Sequence, residues 1–343
     1  MTSMSKTVKI GPIEDLLQAL PFESTSRVVL ISDESLDAQH LQVESILVSH
    51  GVSLKSLRIP SGERAKDIAV LSSLWDFLGE EGVTRSDILI GLGGGSTTDV
   101  VGFAAATWMR GIRYINIPTT LLAMVDASVG GKTAINSPFG KNLVGAFHMP
   151  SSILIDPGFL KTLPGSELSN GCAEIIKCGF IKDEMILDLL EKDEFDYPEL
   201  IQRAIAVKEG FVQADPTETH SGVREILNYG HTLGHALEKR LNYEMSHGQA
   251  IAIGMMFVAE VSRALGLIDD SIVDRHRRLL SRVGLSTTIS GVNWSDVLPY
   301  MLRDKKNRAG QLRLIVLRGI GSAEVIEDID MKVLESAYAK VCL

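Results

Sequence analysis

An apolar segment that runs into three glycines and then into a helical pattern constrains this chain more than any other feature. The segment is ILIGLGGGSTTDVVGFAAA (88–106), and it predicts a strand, a glycine turn and a helix in that order. Glycine lets a backbone approach a phosphate closely, and the N–H groups at a helix start favour negative charge. The segment favours a dinucleotide site over a plain tight turn, because three glycines exceed what a turn needs. Its spacing is not GxGxxG.

Strands and helices alternate through the first half of the chain. The strand patterns are RVVLIS (27–32), SLKSLRIP (53–60), DILIGL (87–92) and YINIP (114–118), and the helical patterns are 37–50 and 67–82. Such alternation indicates βαβ units and a parallel sheet. After about residue 165 helical periods dominate, at 166–192, 198–214, 223–243, 247–266 and 269–283, with LRLIVL (312–317) as a late strand. We expect an α/β domain over 1–162 and a mostly α-helical domain over 163–343.

The charge balance argues against nucleic acid as a partner, because the chain of 343 residues has a formal net charge of −9 and nucleic-acid binders need a basic face. A local cluster of Lys and Arg can still bind a small anion. The longest apolar stretch, 250–261, is too short to span a bilayer and predicts a buried helix. The start of the chain shows no signal peptide, and the odd number of cysteines predicts reduced thiols. We therefore expect a cytoplasmic protein that does not bind membranes.

The segment VGGKTAIN (129–136) resembles half of a phosphate-binding P-loop. A complete P-loop needs a further glycine five residues before Gly131, and Asp126 stands there, so we reject that interpretation. Lys132 still lies beside two glycines. The segment alone leaves an anion contact and a surface lysine equally open for this residue.

Three histidines suggest a metal site in the second half. His231 and His235 are one helical turn apart and share a face, and two imidazoles at this spacing can bind Zn²⁺. The general-base glutamate of an HExxH helix is missing, so one packed and one solvated histidine is an alternative. His247 opens the next helical pattern, and Glu174 lies on a largely apolar helix where a buried carboxylate needs a partner. The residues predict a zinc site without choosing among the three histidines.

The chain resembles the 3-dehydroquinate synthases of the shikimate pathway in several segments, from about residue 27 to 320. They are SGERAK (61–66), GGGSTTDVVGFAAATWMRG (93–111), PTTLLAMVDASVGGKTAINSPFGKNLVGAFHMP (118–150), CAEIIKCGFI (172–181), REILNYGHTLGHALE (224–238), SHGQAIAIGM (246–255) and RDKKNRAG (303–310). The central block is long and specific, far beyond a single glycine motif.

The resemblance implies an α/β NAD-binding domain followed by a helical metal-binding domain. It implies that 3-deoxy-D-arabino-heptulosonate 7-phosphate, a phosphorylated sugar acid, becomes 3-dehydroquinate and phosphate. Transient oxidation by NAD, phosphate elimination, re-reduction and an intramolecular aldol closure make up the reaction. The implied metal is Zn²⁺, with Co²⁺ as an alternative, and its implied ligands are Glu174, His231 and His247. His235 is then a substrate contact, and the enzyme a homodimer.

The remaining site residues also come from the resemblance. It implies cofactor contacts at Ser61, Gly62, Glu63, Arg64, Ala65, Lys66, Gly95, Ser96, Thr97, Thr98, Asp99, Thr119, Thr120, Lys132, Lys141, Phe159, Leu160, Lys161 and Thr162. It implies catalytic or substrate contacts at Asp126, Lys132, Asn142, Lys177, Lys208, Glu218, Arg224, Asn228 and His235. Arg110 and Lys306 are implied phosphate contacts, and Arg110 is expected to reach across the dimer interface.

The sequence departs from the family pattern at two places. Met124 stands where many relatives have Gln, and it carries no chemistry. The stretch ETHSGVR (218–224) has two more residues than is common between the positions of Glu218 and Arg224. The placement of Glu218 is therefore less secure than that of Arg224.

Three other functions compete with the synthase. Metal-dependent polyol dehydrogenases share a glycine loop and a histidine-bearing helical domain, but they need few of the cationic pocket residues predicted here. Other sugar phosphate cyclases tend to differ at the positions of Asn228 and His235. If the chain were a non-catalytic nucleotide-binding protein, we would expect some of the metal ligands or site lysines to be replaced. The sequence shows no such replacement.

Overall fold

The computed structural model describes residues 7–22, 27–218, 223–302 and 312–343. The chain divides into two compact units, Met1–Pro164 and Gly165–Leu343.

The first unit is an α/β structure. Its strands are β1 (Thr7–Ile10), β2 (Arg27–Asp33), β3 (Ser53–Ile59), β4 (Ile88–Gly93), β5 (Arg113–Pro118), β6 (Lys132–Ser137), β7 (Gly140–Phe147) and β8 (Ser152–Ile155). Within the described residues, six strands form a parallel sheet in the order β1-β8-β5-β4-β2-β3. The other two, β6 and β7, form an antiparallel hairpin.

Helices connect the strands of this sheet. They are α1 (Ile13–Gln18), α2 (Asp37–Ser49), α3 (Ile68–Glu80) and α4 (Gly95–Thr107). The capping residue of α3 is Asp67, whose carboxylate accepts a hydrogen bond from the Ala69 N–H, as N-cap residues do. Every residue of β4 is buried, as expected for a central strand of a parallel sheet. The predicted α/β architecture is confirmed.

The strand order creates a switch point between β2 and β4. These two strands are neighbours, but the chain leaves β2 towards β3 on one side and leaves β4 towards β5 on the other. In open α/β sheets, ligands bind outside the carboxyl ends of the strands at such a point. The glycine turn after β4 lies there, together with Asp33 at the end of β2.

The second unit is mostly helical. Its elements are α5 (Gly165–Ile181), α6 (Met185–Leu190), α7 (Tyr197–Ala214), α8 (His231–Arg240), α9 (His247–Ala264), α10 (Asp270–Arg282), α11 (Trp294–Leu302), β9 (Leu314–Gly319), β10 (Ser322–Ile326) and α12 (Met331–Val341). The apolar stretch 250–261 lies in α9 and is buried, as predicted. Among the described residues, none of the helices has both the length and the apolar character that crossing a membrane requires.

Two of the predicted helical periods are wrong as continuous helices. The period 166–192 is divided into α5 and α6. The period 223–243 breaks at Gly230, whose φ of 80° is left-handed, so that a short 3₁₀ turn, Arg224–Asn228, precedes α8. This break places His231 at the first position of α8.

Candidate functional site

The glycine loop connects β4 to α4 in the first unit. Gly94 is the N-cap of α4, which begins at Gly95. A Cβ added at Gly93 would lie 2.5 Å from Oγ1 of Thr97, and one added at Gly95 would lie 3.0 Å from Cβ of Ala127. Close packing therefore accounts for two of the three glycines without any ligand.

A stronger indication of a ligand comes from Thr97. Its side chain is 1% exposed, and among the described residues its Oγ1 has no hydrogen-bond partner. Buried hydroxyls normally have one, and the first turn of a helix also presents N–H groups without intrahelical partners. The start of α4 therefore offers donors that suit a phosphate. Thr98 is satisfied differently, since its hydroxyl donates to the Gly95 carbonyl at 2.9 Å.

Lys66 contacts two other predicted site residues, Asp99 and Asn142. Its ammonium, 3% exposed, lies 2.5 Å from Oδ2 of Asp99 and also donates to Oδ1 of Asn142. Burial raises the pKa of Asp99, and the Lys66 charge offsets this only in part, which leaves the pKa at about 6. The structure thus places Asn142, predicted as a substrate contact, beside two predicted cofactor contacts.

Asn136 extends this polar cluster and was missed by the sequence analysis. Its amide donates to Oε2 of Glu63 at 2.5 Å, and its Oδ1 accepts from the N–H of Asn142 at 3.2 Å. Lys141 lies 3.5 Å from Oε1 of the same Glu63. The available signal was its position inside the VGGKTAIN segment, between two predicted site lysines.

Asp33 is a second residue that the sequence analysis missed. Its carboxylate accepts a hydrogen bond from the Ser61 hydroxyl at 2.5 Å and another from Ser35 at 2.7 Å. Burial raises the pKa of Asp33, but these hydrogen bonds lower it below its usual value. The group therefore stays ionised at the switch point. The sequence feature that could have identified Asp33 is its position directly after a predicted strand.

The other predicted residues of the first unit occupy varied environments. Gly62, Arg64 and Ala65 lie in the 3₁₀ turn Gly62–Lys66; Ser96 lies in α4; Thr119 and Thr120 follow β5; Asp126 lies in the π-turn Ala123–Ala127; Phe159, Leu160, Lys161 and Thr162 lie in the 3₁₀ turn Pro157–Thr162. Lys132 is exposed on β6, and Arg110 is exposed with a φ of 65°. Lys306 lies outside the described residues.

Helices α5, α8 and α9 bring three potential metal ligands together in the second unit. Oε1 of Glu174 lies 3.5 Å from Nε2 of His231 and 3.6 Å from Nε2 of His247. Ligand atoms bonded at about 2.0–2.2 Å to one tetrahedral ion lie roughly 3.3–3.6 Å apart. Among the described residues this Oε1 has no hydrogen-bond partner, although Glu174 is 2% exposed. The three side chains fit a divalent metal.

The outer contacts of both imidazoles support this arrangement. Nδ1 of His231 lies 3.1 Å from the carbonyl of Tyr229, and Nδ1 of His247 lies 3.4 Å from Oε1 of Glu238. Ligating histidines usually donate their second ring N–H to a carbonyl or carboxylate, which leaves the first nitrogen for the metal. His235, Glu238 and His247 form another possible group, in which Nδ1 of His247 lies 3.4 Å from Oε1 of Glu238.

The charges around Glu174 suit a cation site. Burial raises the pKa of Glu174, but the Lys177 ammonium and the neighbouring imidazole of His247 lower it to about 2. Lys177 contacts the other carboxylate oxygen, Oε2. Burial lowers the pKa of His247, while the neighbouring carboxylates of Glu174 and Glu238 raise it to about 10. A metal would therefore displace a proton from this imidazole.

Buried cations lie elsewhere in the same unit. Arg224 is 2% exposed, donates to the Pro216 carbonyl at 2.6 Å and lies 3.6 Å from Oε1 of Glu218. Lys208 on α7 is 9% exposed. Asn228 closes the 3₁₀ turn, with its amide donating to the Glu225 carbonyl at 3.0 Å. The imidazole of His235 is 5.2 Å from that of His231, centroid to centroid.

Solved structures with the same fold define a class of enzyme. The 2-epi-5-epi-valiolone synthase from Streptomyces hygroscopicus subsp. jinggangensis 5008, with NAD⁺ and Zn²⁺ bound, is 27% identical, with a TM-score of 0.89 over 99% of this chain and 98% of its own. A 2-deoxy-scyllo-inosose synthase complexed with carbaglucose-6-phosphate, NAD⁺ and Co²⁺ is 25% identical, with a TM-score of 0.86 over 97% and 96%. The fold is that of the sugar phosphate cyclases.

Sequence relatives narrow the class to a family. The model of the 3-dehydroquinate synthase N-terminal domain matches residues 56–170, and that of the C-terminal domain matches 171–307. The 3-dehydroquinate synthase of Rhodococcus opacus (strain B4) is 50% identical over 87% of this chain and 82% of its own length. That of Arthrobacter sp. (strain FB24) is 47% identical over 97% and 92%. The chain belongs to the 3-dehydroquinate synthase family.

Proposed function

We propose that the chain converts 3-deoxy-D-arabino-heptulosonate 7-phosphate into 3-dehydroquinate and phosphate. The observation that carries this proposal is the ligand cluster of Glu174, His231 and His247, with ligand atoms at tetrahedral spacing, in a chain whose relatives are named 3-dehydroquinate synthase. The cytoplasmic location expected from the sequence stays a prediction.

NAD and a divalent metal, Zn²⁺ or Co²⁺, are the proposed cofactors, as in the two solved cyclases. When bound, NAD would accept and return a hydride, and the metal would polarise the hydroxyl oxygen on the carbon that is oxidised. The first unit would hold NAD through the start of α4 and the polar cluster of Glu63, Lys66 and Asp99. The second would hold the metal through Glu174, His231 and His247.

Residues of the second unit would grip the substrate by charge. A phosphorylated sugar acid carries a phosphate and a carboxylate, and buried cations bind such groups more strongly than exposed ones do. Arg224 and Lys208 are the buried cations offered, and a guanidinium suits a carboxylate or a phosphate by its planar donor geometry. Lys177 keeps Glu174 ionised and able to ligate. His235, beside the metal ligands, would orient a substrate hydroxyl and exchange its proton.

The same cations argue against a polyol dehydrogenase. Sulfoacetaldehyde reductase from Bifidobacterium kashiwanohense has a TM-score of 0.68 at 14% identity, a likeness that extends to the fold alone. Lys208 and Arg224, which are 9% and 2% exposed, suit a phosphate or a carboxylate, and an uncharged polyol offers neither group.

A homodimer is the assembly that we propose, and the first unit offers a surface for it. Between residues 109 and 149, six large apolar side chains are at least 40% exposed: Met109, Phe139, Leu143, Val144, Phe147 and Met149. Apolar side chains exposed in such numbers along one stretch of chain are typical of interaction surfaces. Arg110 adjoins Met109, and its proposed role is to contact phosphate in the partner subunit.

A direct assay tests the function. Purified protein is incubated with the heptulosonate phosphate, catalytic NAD and Zn²⁺, and phosphate and dehydroquinate are measured together. We expect equal amounts of both products, no net NADH, loss of activity after EDTA treatment and recovery with metal. Folded protein that is loaded with NAD and metal but releases no phosphate would overturn the proposal. Net NADH formation with simple polyols would favour the dehydrogenase instead.

A further inference from the structure

The three proposed metal ligands come from separate helices, so something outside the ligands must set their spacing. Glu174 lies on α5, His231 begins α8 and His247 begins α9. A helix displaced by one ångström would move its ligand out of the range that a tetrahedral ion allows. The backbone contacts beside each ligand therefore decide whether the site is formed.

The first such contact joins α9 to α5. Gly248, the residue after His247, has its N–H bonded to Oδ1 of Asn170, one helical turn before Glu174. A Cβ added at Gly248 would lie only 2.6 Å from Cα of Asn170 and closer still to its carbonyl oxygen. The two backbones therefore touch, and a methyl group would force them apart at the point where Glu174 and His247 meet.

The second contact joins α9 to α8. A Cβ added at Gly254 would collide with the carbonyl oxygen of Gly230 and lie 2.8 Å from its carbonyl carbon. That carbonyl belongs to the peptide bond that leads into His231. Gly230 is itself restricted twice, by its left-handed φ of 80° and by the backbone N of Met255 at 2.8 Å from an added Cβ. The spacing of His231 and His247 thus depends on glycine at both sides of the contact.

We propose that Gly248, Gly254 and Asn170 are positioning residues of the metal centre, which fix the separations of Glu174, His231 and His247 by direct backbone contact. None of the three offers a ligand atom to the ion. The inference rests on the proposed metal site, and it adds the reason why these helices pack at that distance. Outer partners of metal ligands typically change metal affinity by about 10–100-fold when mutated.

The test measures metal affinity by competition with a chromophoric chelator, together with the visible absorption spectrum of the Co²⁺ form. Gly248→Ala and Gly254→Ala are expected to raise the dissociation constant for Zn²⁺ at least tenfold and to alter the Co²⁺ spectrum. Asn170→Ala is expected to weaken binding about tenfold. Asn170→Ser should restore it, because the backbones touch and a short hydroxyl can still accept from Gly248.

Gly210→Ala is the matched control. Gly210 lies in α7, where an added Cβ meets nothing within 4 Å. The Gly210→Ala variant should therefore bind Zn²⁺ with the affinity of the wild type. Far-UV circular dichroism checks folding. If the glycine variants do not fold, the metal affinity of Asn170→Ala alone tests the proposal. If Glu174→Gln and His231→Ala bind metal as the wild type does, the proposed metal site fails. If those two lose metal while the folded positioning variants bind normally, only this inference fails.

Discussion

Lys66 shows what a single buried charge does in the first unit. Its ammonium pairs with Asp99 and contacts Asn142 while only 3% exposed. Removing one partner of a buried pair leaves the other charge without compensation, which costs about 3 kcal/mol or more. We therefore expect Lys66→Ala to lower the free energy of unfolding by about that amount and to weaken NAD binding about tenfold. Calorimetric titration with NAD and urea unfolding measure the two effects.

The exposed Lys332→Ala serves as the control for Lys66, because it removes the same charge from the surface of α12. It should change neither quantity. Unchanged NAD affinity in a folded Lys66→Ala variant would remove Lys66 from the cofactor site, whatever happened to stability.

His276 gives the second unit a pH-dependent stability. It is fully buried and stacked on Phe180, its Nδ1 lies 2.8 Å from the Ile272 carbonyl, and its Nε2 lies 2.9 Å from the Tyr229 hydroxyl. Burial lowers the pKa of His276 to about 3, with a smaller contribution from the Arg275 charge. Below pH 6.5 the imidazole of His276 is protonated in the unfolded chain but stays neutral in the folded chain. The free energy of unfolding therefore falls as the pH drops from 6.5 towards 3.

We expect this histidine alone to cost about 2 kcal/mol of folding stability at pH 5 relative to neutral pH. Urea unfolding of the wild type and of His276→Gln between pH 7.5 and 4.5 measures it. The variant loses stability at all pH values, since the site is repacked, but its dependence on pH should be shallower. Parallel curves for the two proteins would contradict the prediction.

The residues alone could not choose among the candidate metal ligands. Two histidines at i and i+4 share a helix face, so His231 and His235 were the obvious pair by spacing. The structure instead sets Nε2 of His231 and of His247 within 3.6 Å of Glu174. Glu174 lies on another helix, and no local period reports a contact between residues so distant in sequence. The family resemblance implied Glu174, His231 and His247 together, because it carries over residues that are distant in sequence but act at one site in the family.

At the scale of elements, a side chain from another part of the second unit, Arg313, binds the 3₁₀ turn Arg224–Asn228. Arg313 donates from Nε and Nη2 to the two carboxylate oxygens of Glu225 at 3.1 and 3.0 Å, and it also contacts Glu327. Arg313 is 12% exposed and Glu225 is 17% exposed. Bidentate pairs of this kind fix geometry as well as adding energy. The turn that carries Arg224 and Asn228 is thereby anchored beside β9.

We expect Arg313→Gln and Glu225→Gln each to raise the KM for the heptulosonate phosphate about tenfold while kcat falls less, because ground-state positioning is lost first. Bound metal should stay unchanged. The double variant should be no worse than Arg313→Gln alone, since Arg313→Gln already removes the contact with Glu225. Arg318→Gln is the control, an exposed arginine on β9 that pairs with Glu324. An unchanged KM in both single variants would mean that the turn needs no anchor.

Element prediction succeeded where one hydrophobic period ran unbroken. The strand pattern 27–32 became β2 (Arg27–Asp33), and the period 247–266 became α9 (His247–Ala264). It failed where a single backbone angle decides, as at Gly230, because the sequence does not state which glycine takes a positive φ. The hairpin of β6 and β7 was also missed. Most of β7 is exposed, so burial imposed no alternation on its residues.

At the scale of the whole molecule, the proposed dimer predicts that two inactive variants complement each other. Arg110 is proposed to act in the site of the partner subunit, whereas His231 acts in its own. In a mixed dimer of Arg110→Ala and His231→Ala, one site carries both defects and the other carries none. Random reassortment of equal amounts makes half of the dimers mixed, so activity should recover to about a quarter of the wild-type value.

The measurement is phosphate release after the two variants are co-refolded or co-expressed with separate affinity tags, compared with each variant alone. Sedimentation first establishes that both variants are dimers with normal NAD binding. As a control, Arg110→Ala mixed with an Arg110→Ala, His231→Ala double variant should stay inactive, because every site then lacks Arg110. Without recovery in proven mixed dimers, Arg110 would act within its own subunit or not at all. A monomeric wild type would overturn the dimer itself, and the exposed apolar side chains of the first unit would need another partner.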